Sequence, residues 1–167
     1  MIAFPPPSAI LDDSTVIGCC WLFESGTGHV GVRLTEKVHI SSLSLNHADP
    51  SLLSFASAQK APHGFALWGL YPLRADTVLP AETQAASYFL LSDALPKGIF
   101  TNHQFILLVN GSYDISSSHT HQSFKISPSL REVLITPSEV VILKILSNWG
   151  APSTCIYSVG VHRETPL

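Results

Sequence analysis

Along most of this chain apolar residues return at every second position rather than every third or fourth. In "HVGVRLTEKVHISSLSLNH" Val30, Val32 and Leu34 alternate with Gly31 and Arg33, and the same spacing joins Val38 to Ile40 and Leu43 to Leu45. Side chains of a strand point alternately to its two faces, so the pattern predicts strands with one face buried and the other wet. Further apolar runs follow at Gly64 to Leu73, His103 to Gly111, Ser123 to Ile126, Glu139 to Gly150 and Thr154 to His162. Most are bounded by Pro, Gly, Asn and Ser clusters, the residues that supply turn conformations. About seven short strands joined by turns predict an all-β sandwich.

The middle of the chain breaks the rule. From Leu79 to Gly98 the sequence carries Pro80 where a first helical turn would begin, Ala and Glu after it, and a Pro-Lys-Gly exit. That composition is compatible with a short helix or an ordered excursion from the sandwich. Ser112 to Ser123 is polar and Ser-rich, hence a loop, and residues 1–8, with "FPPPS", read as an extended linker.

Composition narrows the function classes. The 167 residues are 46% hydrophobic and 13% charged, the size and apolar content of one domain. A net charge of −3 with nine Lys plus Arg spread thinly supplies no basic stripe for a phosphate backbone, which argues against nucleic-acid binding. No run approaches the roughly 18 apolar residues that would span a bilayer, and the first residues lack a basic segment followed by a long apolar one. A membrane anchor is expected only from segments outside these residues.

Three cysteines, Cys19, Cys20 and Cys155, allow at most one intrachain pair. Three buried reduced thiols and one disulfide with an odd thiol are equally compatible with the composition. His119 and His121 would share one face of a strand as a metal pair, but in a serine-rich loop without further ligands they read as solvated histidines. No nucleophile elbow, phosphate loop or metalloprotease motif is present, and no catalytic residues are assigned. Asn110-Gly-Ser112 is an N-glycosylation sequon, expected at a strand end where a turn exposes it.

Taken together, "GCCWLF", "VGVRL", "LSLNH", "APHGFALWG", "LSNWG" and "STCIYSVGVH" resemble, in order and approximate spacing, a SUN domain (Sad1/UNC-84 homology) of the nuclear-envelope branch. The resemblance runs from about Ser8 to Arg163, so residues 9–163 would form the domain and 164–167 a tail. It implies a jelly-roll-like β-sandwich in the lumen between the two nuclear membranes. It also implies a non-enzymatic receptor for the C-terminal peptide of KASH proteins, trimeric in the full-length protein, that links the inner and outer membranes.

By the same resemblance Cys20 pairs with Cys155, and Cys19 is the odd thiol. The segment from Ala9 to Cys19 matches a loop in which largely backbone carbonyls hold one monovalent cation, K+ or Na+, and Ala9, Asp12, Ser14 and Cys19 are its candidate positions. His47 and Tyr157 match positions around the end of the KASH tail.

Two departures alter that pocket. Lys60 stands where the family has a serine that helps hold the terminal carboxylate. Ser153 stands near the place of a tyrosine before Thr-Cys, in a turn one residue shorter. The family's lid hairpin, its cysteine and the coiled coil belong upstream of the loop, outside these residues. Residues 73–102 exceed the length of that segment in familiar animal members and read as an insertion. Two other functions are compatible with such a fold: a carbohydrate-binding module, and the quality-control role of the SUN-like proteins of the endoplasmic reticulum.

Overall fold

A computed structural model describes residues 5–72, 78, 85–87 and 102–164. Ten strands in antiparallel pairs carry the fold among them. They are β1 (Trp21–Phe23), β2 (Gly28–Val38), β3 (Ile40–Asn46), β4 (Gly64–Pro72), β5 (Ala85–Ser87), β6 (His103–Ser112), β7 (His121–Lys125), β8 (Ser138–Ile145), β9 (Thr154–Ile156) and β10 (Ser158–Arg163). A five-stranded sheet runs β2-β8-β4-β6-β5, a three-stranded sheet runs β10-β3-β7, and β1 pairs β9 at one end. This is a β-sandwich, as the period-two pattern predicts, and a jelly-roll-like one, as the resemblance implies.

The alternation decides the core. Leu43 and Leu45 of β3 meet Phe65 and Leu67 of β4 and Val141, Leu143 and Ile145 of β8 between the sheets. In β8 the intervening Val140 and Ile142 are buried too, which explains why its sequence shows a continuous apolar run instead of alternation. β2 and β10 are edge strands, and their inward-facing Val30, Val32 and Val161 are only partly buried.

Two short helices interrupt the strands. The first, α1 (Phe55–Ala58), is capped by Ser54, whose hydroxyl accepts the Ser57 amide at 3.2 Å. The second, α2 (Pro128–Val133), is capped by Ser127, which accepts the Leu130 amide, with Pro128 in the first turn, where its missing N–H leaves nothing unbonded. Neither is long or apolar enough to cross a membrane.

Several expectations change. In the central segment, residues 85–87 form an edge strand on β6, not a helix, and the rest of Leu79–Gly98, apart from these, lies outside the described residues. Asn110 is exposed but lies inside β6, opposite Ala66, because the strand runs on through the sequon to Ser112. Only His121 is in a strand. His119 stays in the loop, its Nδ1 3.2 Å from the Ser118 hydroxyl, so the two do not form a strand-face pair. Ahead of the sandwich, a 3-10 turn at Pro7–Leu11 follows the extended Pro6 and buries Ile10, so order begins before residue 9.

Candidate functional site

The chain crowds its unusual residues at the β1–β9 end. Gly18, at φ +89°, turns the backbone in the left-handed region that side chains disfavour, and Cys19 donates its amide to the Val16 carbonyl at 2.9 Å. Cys20 then enters β1, where Leu22 faces Cys155 of β9. Cys20 and Cys155 are joined in a disulfide, with Cα atoms 5.5 Å apart and 135 positions between them in sequence, while Cys19 is free and exposed.

On the other side of β9 lies the exit from α1. The Lys60 amide donates to the Ser57 carbonyl, and the Lys60 carbonyl accepts the Cys155 amide at 2.8 Å. Cys155 is therefore held by β1, by the disulfide and by the backbone of Lys60.

These elements enclose a cleft of about 230 Å³. Ile17, Leu22, Leu53 and the disulfide give it apolar walls, Tyr157 and Ser57 add hydroxyls, and Lys60 is its one charged lining residue among those described. Its surroundings are apolar as well: Ile17 is 53% exposed and Phe55, on α1, is 80% exposed.

Of the residues expected to surround a peptide, Lys60 and Tyr157 line the cleft. His47 does not. It is buried behind Tyr157, ring centroids 4.8 Å apart and edge-on. Its Nδ1–H donates to the Ala48 carbonyl at 2.9 Å, which leaves Nε2 as a buried acceptor with no partner among the described residues. Burial holds the His47 imidazole below its ordinary pKa, against the smaller opposing effect of the Ala48 bond.

Ser153 is not brought to the cleft either. Its carbonyl accepts from Asn148 Nδ2 at 3.0 Å, in a loop that Asn148 organises. The same amide nitrogen reaches the Ala151 carbonyl and Thr154 Oγ1, and its oxygen accepts the Gly150 amide. Trp149 donates its indole N–H to the Tyr113 carbonyl and packs on His63, so it offers no open platform. This is the physical content of Asn-Trp-Gly: the triplet folds the loop that delivers Thr154 and Cys155 to β9.

Sequence reasoning missed Ile17, Leu22, Leu53 and Ser57. The only local signal was the serine cap before α1.

The loop from Ala9 to Cys19 offers oxygen ligands of the kind a monovalent cation takes. The Ala9 carbonyl accepts the Asp12 amide and the Val16 carbonyl accepts the Cys19 amide, and each keeps a second lone pair. Ser14 Oγ accepts the Val16 amide, and the Asp13 carboxylate takes the Ser158 hydroxyl at 3.5 Å. Among the described residues no three His, Cys, Asp or Glu side chains gather as metal ligands.

Beside the loop pair of Ser118 and His119, two further serine–histidine pairs occur among the described residues, Ser44 with His162 at 2.7 Å and Ser147 with His63 at 3.4 Å. Neither lines the cleft, and no carboxylate orients either ring in the way a triad requires. A second, larger groove of about 350 Å³ runs between β2 and β10. Its charges are already matched, Arg163 with Glu36 at 2.7 Å and Arg33 with Glu139 at 3.3 Å.

Known proteins are similar to this chain in sequence, and others in fold. The family model for the Sad1/UNC-like C-terminal region matches residues 4–83 and 98–165, passing over the residues between. The rat sperm-associated antigen 4 protein is 31% identical over 160 residues, covering 94% of this chain and 28% of that protein. Mouse SUN domain-containing protein 5 is 28% identical, covering 94% and 33%, and human SUN domain-containing protein 1 is 28% identical, covering 95% and 16%. The chain thus spans a third or less of the length of these relatives.

Among solved structures, a family 32 carbohydrate-binding module from Streptococcus pneumoniae EndoD superposes with a TM-score of 0.58 at 12% identity, covering 98% of this chain and 89% of that one. An F5/8 type C domain from Bacteroides fragilis gives 0.55 at 10% identity, covering 95% and 80%. At such identities the likeness extends to the fold alone. With the family model matched along most of its length, the chain belongs to the Sad1/UNC-like C-terminal family, the SUN domains.

Proposed function

We propose that this domain is a non-enzymatic receptor for the luminal C-terminal peptide of a KASH protein, and that the cleft beside the Cys20–Cys155 disulfide takes the peptide's end. The observation that carries the reading is the cleft itself. It is apolar, the exposed Ile17 is among its walls, and it is built on a disulfide of the kind an oxidising lumen preserves. Membership of the SUN domains supports placing the module, about residues 9–163 with its insertion, at the nuclear envelope on the luminal side of the inner membrane. It likewise supports a trimer in the full-length protein and one K+ or Na+ on the carbonyls of the loop from Ala9 to Cys19.

The test is a calorimetric titration with a peptide ending in Pro-Pro-Pro-X as the free acid, beside a scrambled peptide of the same composition. Saturable binding of the first alone is expected. Equal binding of both, or glycan binding with no peptide binding, would contradict the receptor reading and favour the carbohydrate-binding alternative.

A further inference from the structure

We propose that Asn110 carries an N-linked glycan on the outer face of the five-stranded sheet. The inference rests on the luminal placement in the receptor reading, since a chain meets the glycosylating transferase only in the lumen, and it does not depend on peptide binding.

Asn110-Gly-Ser112 is the one Asn-X-Ser/Thr triplet in the 167 residues, and a β-bulge decides which way it points. Ile106 and Leu108 face the core, and strict alternation would send Asn110 after them. Instead the register against β4 slips. Leu107 pairs Trp68 and Val109 pairs Leu67, which leaves Leu108 as the extra residue. Beyond it Val109 and Tyr113 pack on the core, and Gly111 faces inward with them. A Cβ on Gly111 would lie 3.2 Å from the Phe65 ring on β4 and 3.3 Å from the Phe124 ring on β7, between the two sheets. Asn110 and Ser112 therefore share the outer face, and both are exposed.

Nothing on that face competes for the amide. The Asn110 side chain has no hydrogen-bond partner among the described residues, and opposite Asn110 and Ser112 on β4 stand only Ala66 and Gly64. The row through Asn110 and Ala66 continues to Lys144 and His29, both exposed, so this surface meets water. A sequon aimed at the core could not hold a sugar and fold; this one can do both. β5 pairs β6 only from Gln104 to Ile106, so at Asn110 the far edge of β6 has no described strand against it. A glycan there covers an edge that would otherwise template pairing with another chain.

The donor is a polyprenyl-diphosphate-linked oligosaccharide. The Asn110 amide nitrogen forms a bond to C1 of its first sugar, the C1–O bond to the diphosphate breaks with its electron pair leaving on the diphosphate, and one amide proton goes to solvent.

The experiment compares the full-length protein from the cells it comes from with this chain directed into a eukaryotic secretory lumen by a cleavable signal. Both are treated with peptide-N-glycosidase, which leaves aspartate wherever it removes a glycan. Mass spectrometry is expected to read aspartate at position 110 in both, and the secreted chain to drop by one glycan in mobility. Asn110→Gln and Ser112→Ala should each abolish that step and Ser112→Thr keep it, with the Cys20–Cys155 disulfide showing that each variant is folded. A step that survives Asn110→Gln overturns the assignment. An unmodified Asn110 in either protein, with Cys20 and Cys155 oxidised, overturns the site and leaves the luminal placement standing. If Asn110 of the full-length protein is unmodified and both cysteines are reduced, the luminal placement fails, and this inference with it.

Discussion

At the scale of single residues, His47 joins the core to the cleft. Burial disfavours the charged form of its imidazole, and among the described residues its Nε2 has no partner to compensate a proton. In the unfolded chain the same side chain titrates near the ordinary value of about 6.5. The unfolded state therefore binds more protons than the folded one once pH falls below that value. Stability is full above about pH 6.5 and declines as pH drops toward the lowered folded value. His103 is shifted in the same direction, by burial and by Lys37, with Glu139 opposing, so His47 accounts for part of the effect. Melting temperature should fall between about pH 7 and pH 5, and His47→Asn should flatten that fall. Identical slopes in wild type and variant would contradict the assignment.

At the scale of elements, β1 and β9 are three residues each and, among the described strands, pair only with one another. So short a pair is not independently stable, and the disulfide beside it makes the end of the sandwich persistent. Closing a separation of 135 positions in the unfolded chain is worth about 5 kcal/mol in the chain-entropy model. Replacing both Cys20 and Cys155 by serine should lower chemical-denaturation stability by about that amount, with Cys19→Ser changing it by less than about 0.5 kcal/mol. If Cys19→Ser were as costly as the double replacement, the pairing would be wrong.

The long strands were legible because a period of two ran through β2, β3 and β10, and because β4, β6 and β8 were continuous apolar runs. The short elements were not. β1 and β9 carry too few residues to show a period, and α1 and α2 are one or two turns whose only marks are the serine caps at Ser54 and Ser127.

At the scale of the whole molecule, the sandwich positions a small number of residues from distant parts of the chain. Residues 17–22, 53–60 and 155–157 reach one cleft only because β9 lies between β1 and the exit of α1. The motifs and the departure from the family pattern named Tyr157, the two cysteines and Lys60, which lie in the wall, and His47, which lies behind it. They named Ser153 as well, but Asn148 draws that turn to itself, and a hydrogen-bond hub of this kind leaves no periodic trace. The apolar walls Ile17, Leu22 and Leu53 are invisible for a different reason. Each is an ordinary hydrophobic residue in sequence, and only the fold makes them neighbours. The tertiary context, rather than any local pattern, decides which apolar residues become a surface.

That cleft is the account's central claim, and the footprint of a bound peptide on the amide NMR spectrum tests it most directly. On addition of the free-acid peptide ending in Pro-Pro-Pro-X, the largest shifts are expected at Gly18, Leu22, Ser57, Lys60, Cys155 and Tyr157, with β7 and the loop after Asp114 unchanged. A footprint centred on the β2–β10 groove or around Trp149, with those cleft amides unmoved, would contradict it.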